Sequence, residues 1–298
     1  MRRLTLLVSI ILFLAAAASA GAEDYPKLAD CYDPVLQENL EACIATLGLE
    51  GSAERGQICL ALVDITDPEH PRLAGINDQK MMYAASLPKI AILLGAFDRI
   101  DKGELQLTPD TRKLLTQMIR YSSNSAATLM LNRVGKGYLA DLLESPRYRL
   151  YDPEEHGGLW VGKDYGKAGA WKRDPIAHLS HGANALQVAR FYYLLETGRL
   201  VSPEASRSMK EILGQPAIHH KFVLGLAPEG NEVQIFRKSG TWRDYHADSA
   251  LIEHGDRKYI AVALAKNANG SKWLSSLIVQ LDDLICRIPP LAKDARPQ

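Results

Sequence analysis

Ser86-Leu87-Pro88-Lys89 places a hydroxyl and an amine three residues apart at the start of an apolar segment. Residues three apart on a helix share a face, with Cβ atoms about 5–6 Å apart, so Lys89 is predicted to reach the Ser86 hydroxyl. A serine hydroxyl is a poor nucleophile at neutral pH unless a base lies within hydrogen-bond distance. The tetrapeptide therefore predicts an activated serine opening a helix over residues 86–100, with Pro88 tolerated in the first turn.

Two more polar groups follow in the chain. Ser122-Ser123-Asn124 precedes an apolar helical segment, and Lys238-Ser239-Gly240-Thr241 adjoins a strand-like segment. Taken singly, each is ordinary: a helix cap with a solvated lysine, an inter-helix turn, a turn at a strand edge. Together and in this order, the three groups predict a site in which a serine becomes acylated.

The hydrophobic pattern predicts helices in the middle of the chain and strands towards both ends. The predicted strands are residues 56–65, 232–238, 247–253 and 259–265; the other predicted helices are residues 108–120, 125–134, 184–197, 202–214 and 273–288. Residues 148–182 are rich in glycine and aromatic residues and show weak periodicity. A loop of that length in a compact domain is usually functional.

The Ser-x-x-Lys, Ser-x-Asn and Lys-Ser/Thr-Gly triplets resemble those of class A serine β-lactamases and their penicillin-binding relatives. The resemblance extends over about residues 56–288. It implies a two-lobed α/β (α+β) fold, in which an antiparallel β-sheet flanked by terminal helices packs against an all-helical lobe. We expect one catalytic domain over residues 23–298, with the α/β lobe at 23–80 and 215–298 and the helical lobe at 81–214.

The resemblance implies a role for each group. Ser86 would be the nucleophile that forms an acyl-enzyme, and Lys89 would orient or deprotonate it. That requires the pKa of Lys89 to fall well below about 10.4, which burial and the charge of Lys238 favour. Ser122 would pass a proton to the departing nitrogen. Asn124 would hold Lys89 and a substrate amide.

The strand residues would bind the other end of the substrate. Lys238, with the hydroxyls of Ser239 and Thr241 around Gly240, would bind a carboxylate. The backbone N–H groups of Ser86 and Thr241 would form the oxyanion hole, where the loss of one donor typically costs about 10²–10³ in rate.

The base for hydrolysis of the acyl-enzyme is less well defined. The family places it on a glutamate of the Ω-loop, in a Glu-Pro-Glu-Leu-Asn-like segment that this chain lacks. By position, the candidates are Glu154 and Glu155, with a solvated acidic loop as the alternative. His156, His178 and His181 in the same region are further candidates.

Arg2 and Arg3 precede an apolar run over residues 4–18 that ends in small residues. This pattern predicts a secretory signal peptide over residues 1–22 and a periplasmic or secreted protein without stable membrane insertion after cleavage. An uncleaved anchor is the alternative, although the run is short for a membrane span.

The four cysteines follow the predicted signal peptide, and an oxidising compartment would allow two disulfides. We expect Cys31–Cys43 and Cys59–Cys286, with free buried thiols as the alternative.

The composition and the motifs do not indicate a nucleic-acid-binding or metal-dependent protein. Basic and acidic residues balance at 35 each, which gives no argument for nucleic-acid binding. The chain lacks a His-Glu-x-x-His zinc motif, so we expect no metal and no cofactor. The expected partner is a β-lactam or peptidoglycan-like small molecule bound to a monomer.

Three functions remain open from the sequence. The first is β-lactam hydrolysis, and the second is hydrolysis of D-alanyl peptides or of another amide or ester. The third is a covalent penicillin-binding sensor with slow deacylation.

Overall fold

The structure, a computed structural model, describes residues 25–288. The predicted signal peptide lies outside the described residues. Within them, no helix combines the length and the apolar character needed to cross a membrane.

The helices and strands alternate at both ends of the described chain and leave a mostly helical middle. The helices are α1 (Pro34–Thr46), α2 (Glu50–Glu54), α3 (Lys89–Asp101), α4 (Pro109–Arg120), α5 (Asn124–Val134), α6 (Lys136–Glu144), α7 (Ala185–Glu196), α8 (Pro203–Leu213), α9 (Phe222–Gly225) and α10 (Gly270–Arg287). The strands are β1 (Ile58–Asp64), β2 (Arg72–Ile76), β3 (Met82–Tyr83), β4 (Tyr151–Asp152), β5 (Gly157–Gly158), β6 (Trp160–Val161), β7 (His181–Ala183), β8 (Val233–Trp242), β9 (Tyr245–His254) and β10 (Arg257–Lys266). Short 3₁₀ helices cover Leu28–Asp30 and Ala227–Glu232.

The main sheet, as far as residues 25–288 show it, has five antiparallel strands in the order β2-β1-β10-β9-β8. Both faces are covered, so β1 is buried along its whole length. Alternate side chains enter two different cores: Cys59, Ala61 and Val63 face the helical lobe, whereas Leu60 and Leu62 face α1 and α10. In the described part of the chain, the sheet edge at β8 has no further strand beside it, so that edge can line a site.

Helix α3 is the centre of the helical lobe. Its residues from Lys89 to Asp98 are all buried, and α4, α5, α6 and α8 pack around it. The predicted two-lobed α/β fold is confirmed. The predicted start of the helix at residue 86 is wrong: α3 begins at Lys89, and Ser86 lies in the turn before it.

The predicted disulfides do not occur, since all four cysteines are free thiols. Cys59 lies in the core on the helical side of the sheet, opposite the face that α10 covers, so it cannot reach Cys286. Cys31 packs on the same side as Cys59, while the Cys43 thiol donates to the Gln280 carbonyl of α10 on the other. The sheet separates the partners in both predicted pairs.

Candidate active site

Ser86 lies in a tight turn between β3 and α3. The turn is held at its start by the Ala84 N–H, which donates to the carbonyl of His181 in β7 (3.0 Å). Ala85 has a positive φ of 50°, a left-handed conformation that is uncommon outside glycine. The Ser86 N–H donates to no acceptor among the described residues. It is therefore available to a substrate oxygen, as an oxyanion hole requires.

Strand β8 passes directly against this turn at Gly240. A Cβ atom at position 240 would lie 2.1 Å from the Ala84 carbonyl oxygen and 2.8 Å from the Ser86 nitrogen. Glycine is needed here because the two backbones approach closely. This approach brings the predicted oxyanion donors, at Ser86 and Thr241, to the same place.

Lys89 reaches the helical side of the site instead of the nucleophile. Its side chain is fully buried, and Nζ donates to the Ser122 carbonyl (2.6 Å), to Asn124 Oδ1 (2.9 Å) and at 3.4 Å to Ser122 Oγ. The predicted Ser86–Lys89 hydrogen bond is not present. Catalytic hydrogen bonds are often long in free enzymes and tighten only when substrate binds.

Ser122 Oγ connects the two lobes. It accepts from Lys238 Nζ (2.9 Å) as well as from Lys89 Nζ. Lys238 is also buried and donates to the carbonyl of the buried Ser239 (2.7 Å). With its lone pairs occupied by two amines, Ser122 keeps its own hydroxyl proton for a third group, which suits donation to a leaving nitrogen.

Burial disfavours the charged form of both lysines. It lowers the pKa of Lys89 to about 7. Burial, followed by the charge of Lys89, lowers the pKa of Lys238 well below its ordinary value. At neutral pH a substantial share of Lys89 is therefore a free amine, the form that can accept the Ser86 proton.

Lys221 is a third buried lysine, and sequence reasoning did not identify it. Its Nζ donates to the Gly240 carbonyl (2.6 Å), Thr241 Oγ1 (2.8 Å) and the Ala247 carbonyl (3.1 Å). It lies in an irregular loop with a positive φ of 53°, so no helix or strand period could have pointed to it. Its contacts fix the end of β8 and the orientation of the exposed Thr241 hydroxyl.

The space beside Lys89 on the side of residues 148–182 is filled by aromatic rings. Lys89 Nζ lies 4.6 Å from the centroid of the buried Tyr165 ring, which stacks on His181 at 4.2 Å. Thr128 of α5 fixes Tyr165 by hydrogen bonds to its N–H and its carbonyl. Among residues 25–288, neither the Tyr165 hydroxyl nor His181 Nδ1 has a hydrogen-bond partner, and burial lowers the pKa of His181 to about 3.

Comparison with known proteins agrees with this geometry. The family model described as the beta-lactamase enzyme family matches residues 39–112 and 108–287. The chain belongs to the beta-lactamase enzyme family. No curated protein matches it.

Solved structures share the fold of this β-lactamase family chain at low identity. A β-lactamase from Sphaerobacter thermophilus is 18% identical, covers 85% of this chain and 99% of its own, and has a TM-score of 0.66. A PBP-A variant, solved as an acyl-enzyme complex with penicillin G, is 15% identical with a TM-score of 0.67, covering 85% and 98%. A class A β-lactamase from Bacteroides cellulosilyticus is 14% identical with a TM-score of 0.61, covering 84% and 96%.

The two predicted glutamate bases do not join this β-lactamase-type site. Glu154 and Glu155 are exposed at the tip of the hairpin formed by β4 and β5. Within residues 25–288, neither carboxylate forms a hydrogen bond or salt bridge with Ser86, Lys89 or Ser122. His156 shares the exposed tip. Of the three histidine candidates, His181 is the one that the structure brings to Lys89.

We predict that Gly240→Ala lowers the rate of Ser86 acylation about 100-fold, because the added Cβ must displace the Ser86 turn, and displacements of about 1 Å have effects of that size. The measurement is the second-order rate constant for labelling by a fluorescent penicillin. Gly137→Ala in α6 is the matched control, since a Cβ there meets no atom within 4 Å. Equal rates in wild type and Gly240→Ala would contradict the predicted role of this close approach.

We also predict that acylation falls about tenfold per pH unit below a midpoint near pH 7, because protonation removes the free amine of Lys89. The rate should reach a plateau above this midpoint. Labelling rates measured from pH 5 to pH 9 test it, with Lys89→Met expected to lose the profile together with most of the rate. A flat wild-type profile would show that a neutral Lys89 is not required.

Proposed function

We propose that the protein is an exported serine hydrolase that reacts with β-lactams through an acyl-enzyme on Ser86. One observation carries this proposal: Lys89, Ser122 and Lys238 form a connected set of hydrogen bonds beside a serine whose backbone N–H is free. The predicted signal sequence supports export.

The side chains support a complete acylation step. Ser86 Oγ attacks the lactam carbonyl carbon, and its proton passes to the neutral amine of Lys89. The N–H groups of Ser86 and Thr241 stabilise the oxygen that becomes negative. When the carbon–nitrogen bond breaks, the Ser122 hydroxyl gives its proton to the lactam nitrogen and is reprotonated from Lys89. Ser86, Lys89 and Ser122 account for every proton that is transferred in this step.

The charge of the site supports a substrate with a carboxylate. Lys221 donates to Gly240 and Thr241 near the end of β8, and Lys238 of the same strand donates to the carbonyl of Ser239, the residue before Gly240. A buried amine whose pKa is lowered gains most from an anionic partner, since that partner restores the charged form. Penicillins, cephalosporins and D-alanyl peptides all carry such a carboxylate next to the bond that is cleaved.

A second candidate function is favoured by Tyr165: covalent binding of the β-lactam with slow release. Hydrolysis of the acyl-enzyme needs a base for the attacking water. The group against Lys89 is an aromatic ring, and burial raises the pKa of the Tyr165 hydroxyl well above its ordinary value. A neutral phenol cannot accept a proton from water at neutral pH.

The proposal can be tested with the mature protein. It is mixed separately with nitrocefin, a fluorescent penicillin and a D-alanyl-D-alanine peptide. We expect labelling by penicillin in every case, with the turnover of nitrocefin or peptide distinguishing a hydrolase from a slow acceptor. Ser86→Ala should lose at least about 10³-fold in labelling, because it removes the nucleophile. If Ser86→Ala labels as fast as wild type, the assignment fails.

We predict that Tyr165→Glu speeds deacylation by about 10²-fold or more, the usual contribution of a positioned general base. Tyr165→Gln is the matched control without a base, and Glu154→Gln and Glu155→Gln should leave the rate unchanged. The measurement is the loss of the fluorescent label from the isolated acyl-enzyme. Slower deacylation in Glu154→Gln or Glu155→Gln would instead support a glutamate as the base, as predicted from the sequence.

A further inference from the structure

Three side chains with metal-ligating atoms meet at the end of the sheet remote from Ser86. His254 ends β9, eight residues (254 − 246) beyond His246, which is paired with Thr241. That separation corresponds to about 25 Å along a strand. Asp282 and Cys286 are one turn apart on α10, so they share the face that packs next to His254. The cluster is independent of the proposed active site.

The three donor atoms have the spacing that one small ion requires. His254 Nδ1 lies 3.0 Å from Asp282 Oδ2 and 3.6 Å from Cys286 Sγ, and all three atoms lie within 4.8 Å of one another. Zinc bonds of about 2.0–2.3 Å place tetrahedral donor atoms about 3.3–3.7 Å apart. The two distances from His254 Nδ1 differ from this spacing by only some tenths of an ångström, and the third pair, Asp282 with Cys286, lies within 4.8 Å.

The surroundings of the three side chains also suit a metal site. Asp282 is buried, and its Oδ1 also accepts from the Tyr259 hydroxyl (2.8 Å), the kind of outer contact that orients a metal ligand. Cys286 is exposed and His254 partly so, which leaves an entry path and room for a water. Other charges nearby are mixed: Asp256 and Asp283 are negative, and Arg257 is positive.

We propose that His254, Asp282 and Cys286 bind one Zn²⁺, with water as the fourth ligand. An imidazole, a carboxylate and a thiolate form a donor set that suits zinc. The carboxylate and thiolate charges balance those of the ion, and the thiol proton is released on binding. The ion joins the last turns of α10 to the β9–β10 hairpin. It would act as a structural clamp.

The test uses tag-free mature protein, stripped with a chelator and titrated with ZnCl₂ alone. We expect one zinc per chain by calorimetry and a Tm that rises until that ratio is reached. Cobalt(II) should give sulfur-to-metal charge-transfer absorption, which only a coordinated thiolate produces. Binding of no stoichiometric zinc would overturn the proposal.

Two variants locate the ion. Cys286→Ser and His254→Gln should each weaken zinc binding at least tenfold, and Cys286→Ser should abolish the cobalt–sulfur band. Cys43→Ser is the matched control, because its thiol also touches α10 but lies outside the cluster. His70→Gln tests the exposed Asp67, Glu69 and His70 group. Loss of binding in His70→Gln, or unchanged binding in Cys286→Ser, would contradict the assignment.

Discussion

Two buried lysines share one serine hydroxyl, and the arrangement of the site depends on that shared contact. Lys89 comes from the central helix of the helical lobe and Lys238 from the edge strand of the sheet, and both donate to Ser122 Oγ. Burying two amines side by side is unfavourable unless each is hydrogen-bonded and at least one loses its proton. The fold meets both conditions, and the same burial that would destabilise charged lysines produces the free amine that the proposed acylation needs.

The second constraint is the close approach of two backbones. Strand β8 can serve as a wall of the site only because its outer edge is unpaired and position 240 lacks a side chain. Lys221 then fixes the end of that edge strand by two hydrogen bonds to Gly240 and Thr241 of β8 and a third to Ala247 of β9. The adjacent Arg237–Asp248 ion pair is buried and bidentate and joins β8 to β9, so it fixes the strand that carries Lys238 to its neighbour.

Much of the fold and of the candidate site could be predicted from the sequence, because each motif is typical of a particular position on a helix or strand. The order of the triplets predicted which segments meet, and strand alternation predicted β8, β9 and β10. Other features depend on tertiary contacts that leave no local pattern. Tyr165 lies against Lys89 because Thr128 holds the loop backbone, and Lys221 sits in an irregular segment. The disulfide prediction failed because counting cysteines does not reveal that a sheet lies between them.

The glutamate prediction shows most clearly how position in the sequence can mislead. Glu154 and Glu155 occupy the stretch of chain in which the family places its base, but a short hairpin turns them to solvent. The residue that faces Lys89 lies further along and is aromatic. The ring is part of the surroundings in which burial lowers the pKa of Lys89. Under the proposed function this burial favours attack by Ser86, yet the ring supplies no base for the second step. Under the proposed function, acylation needs a buried Lys89 and hydrolysis needs a base, and an aromatic residue at position 165 suits only the first requirement.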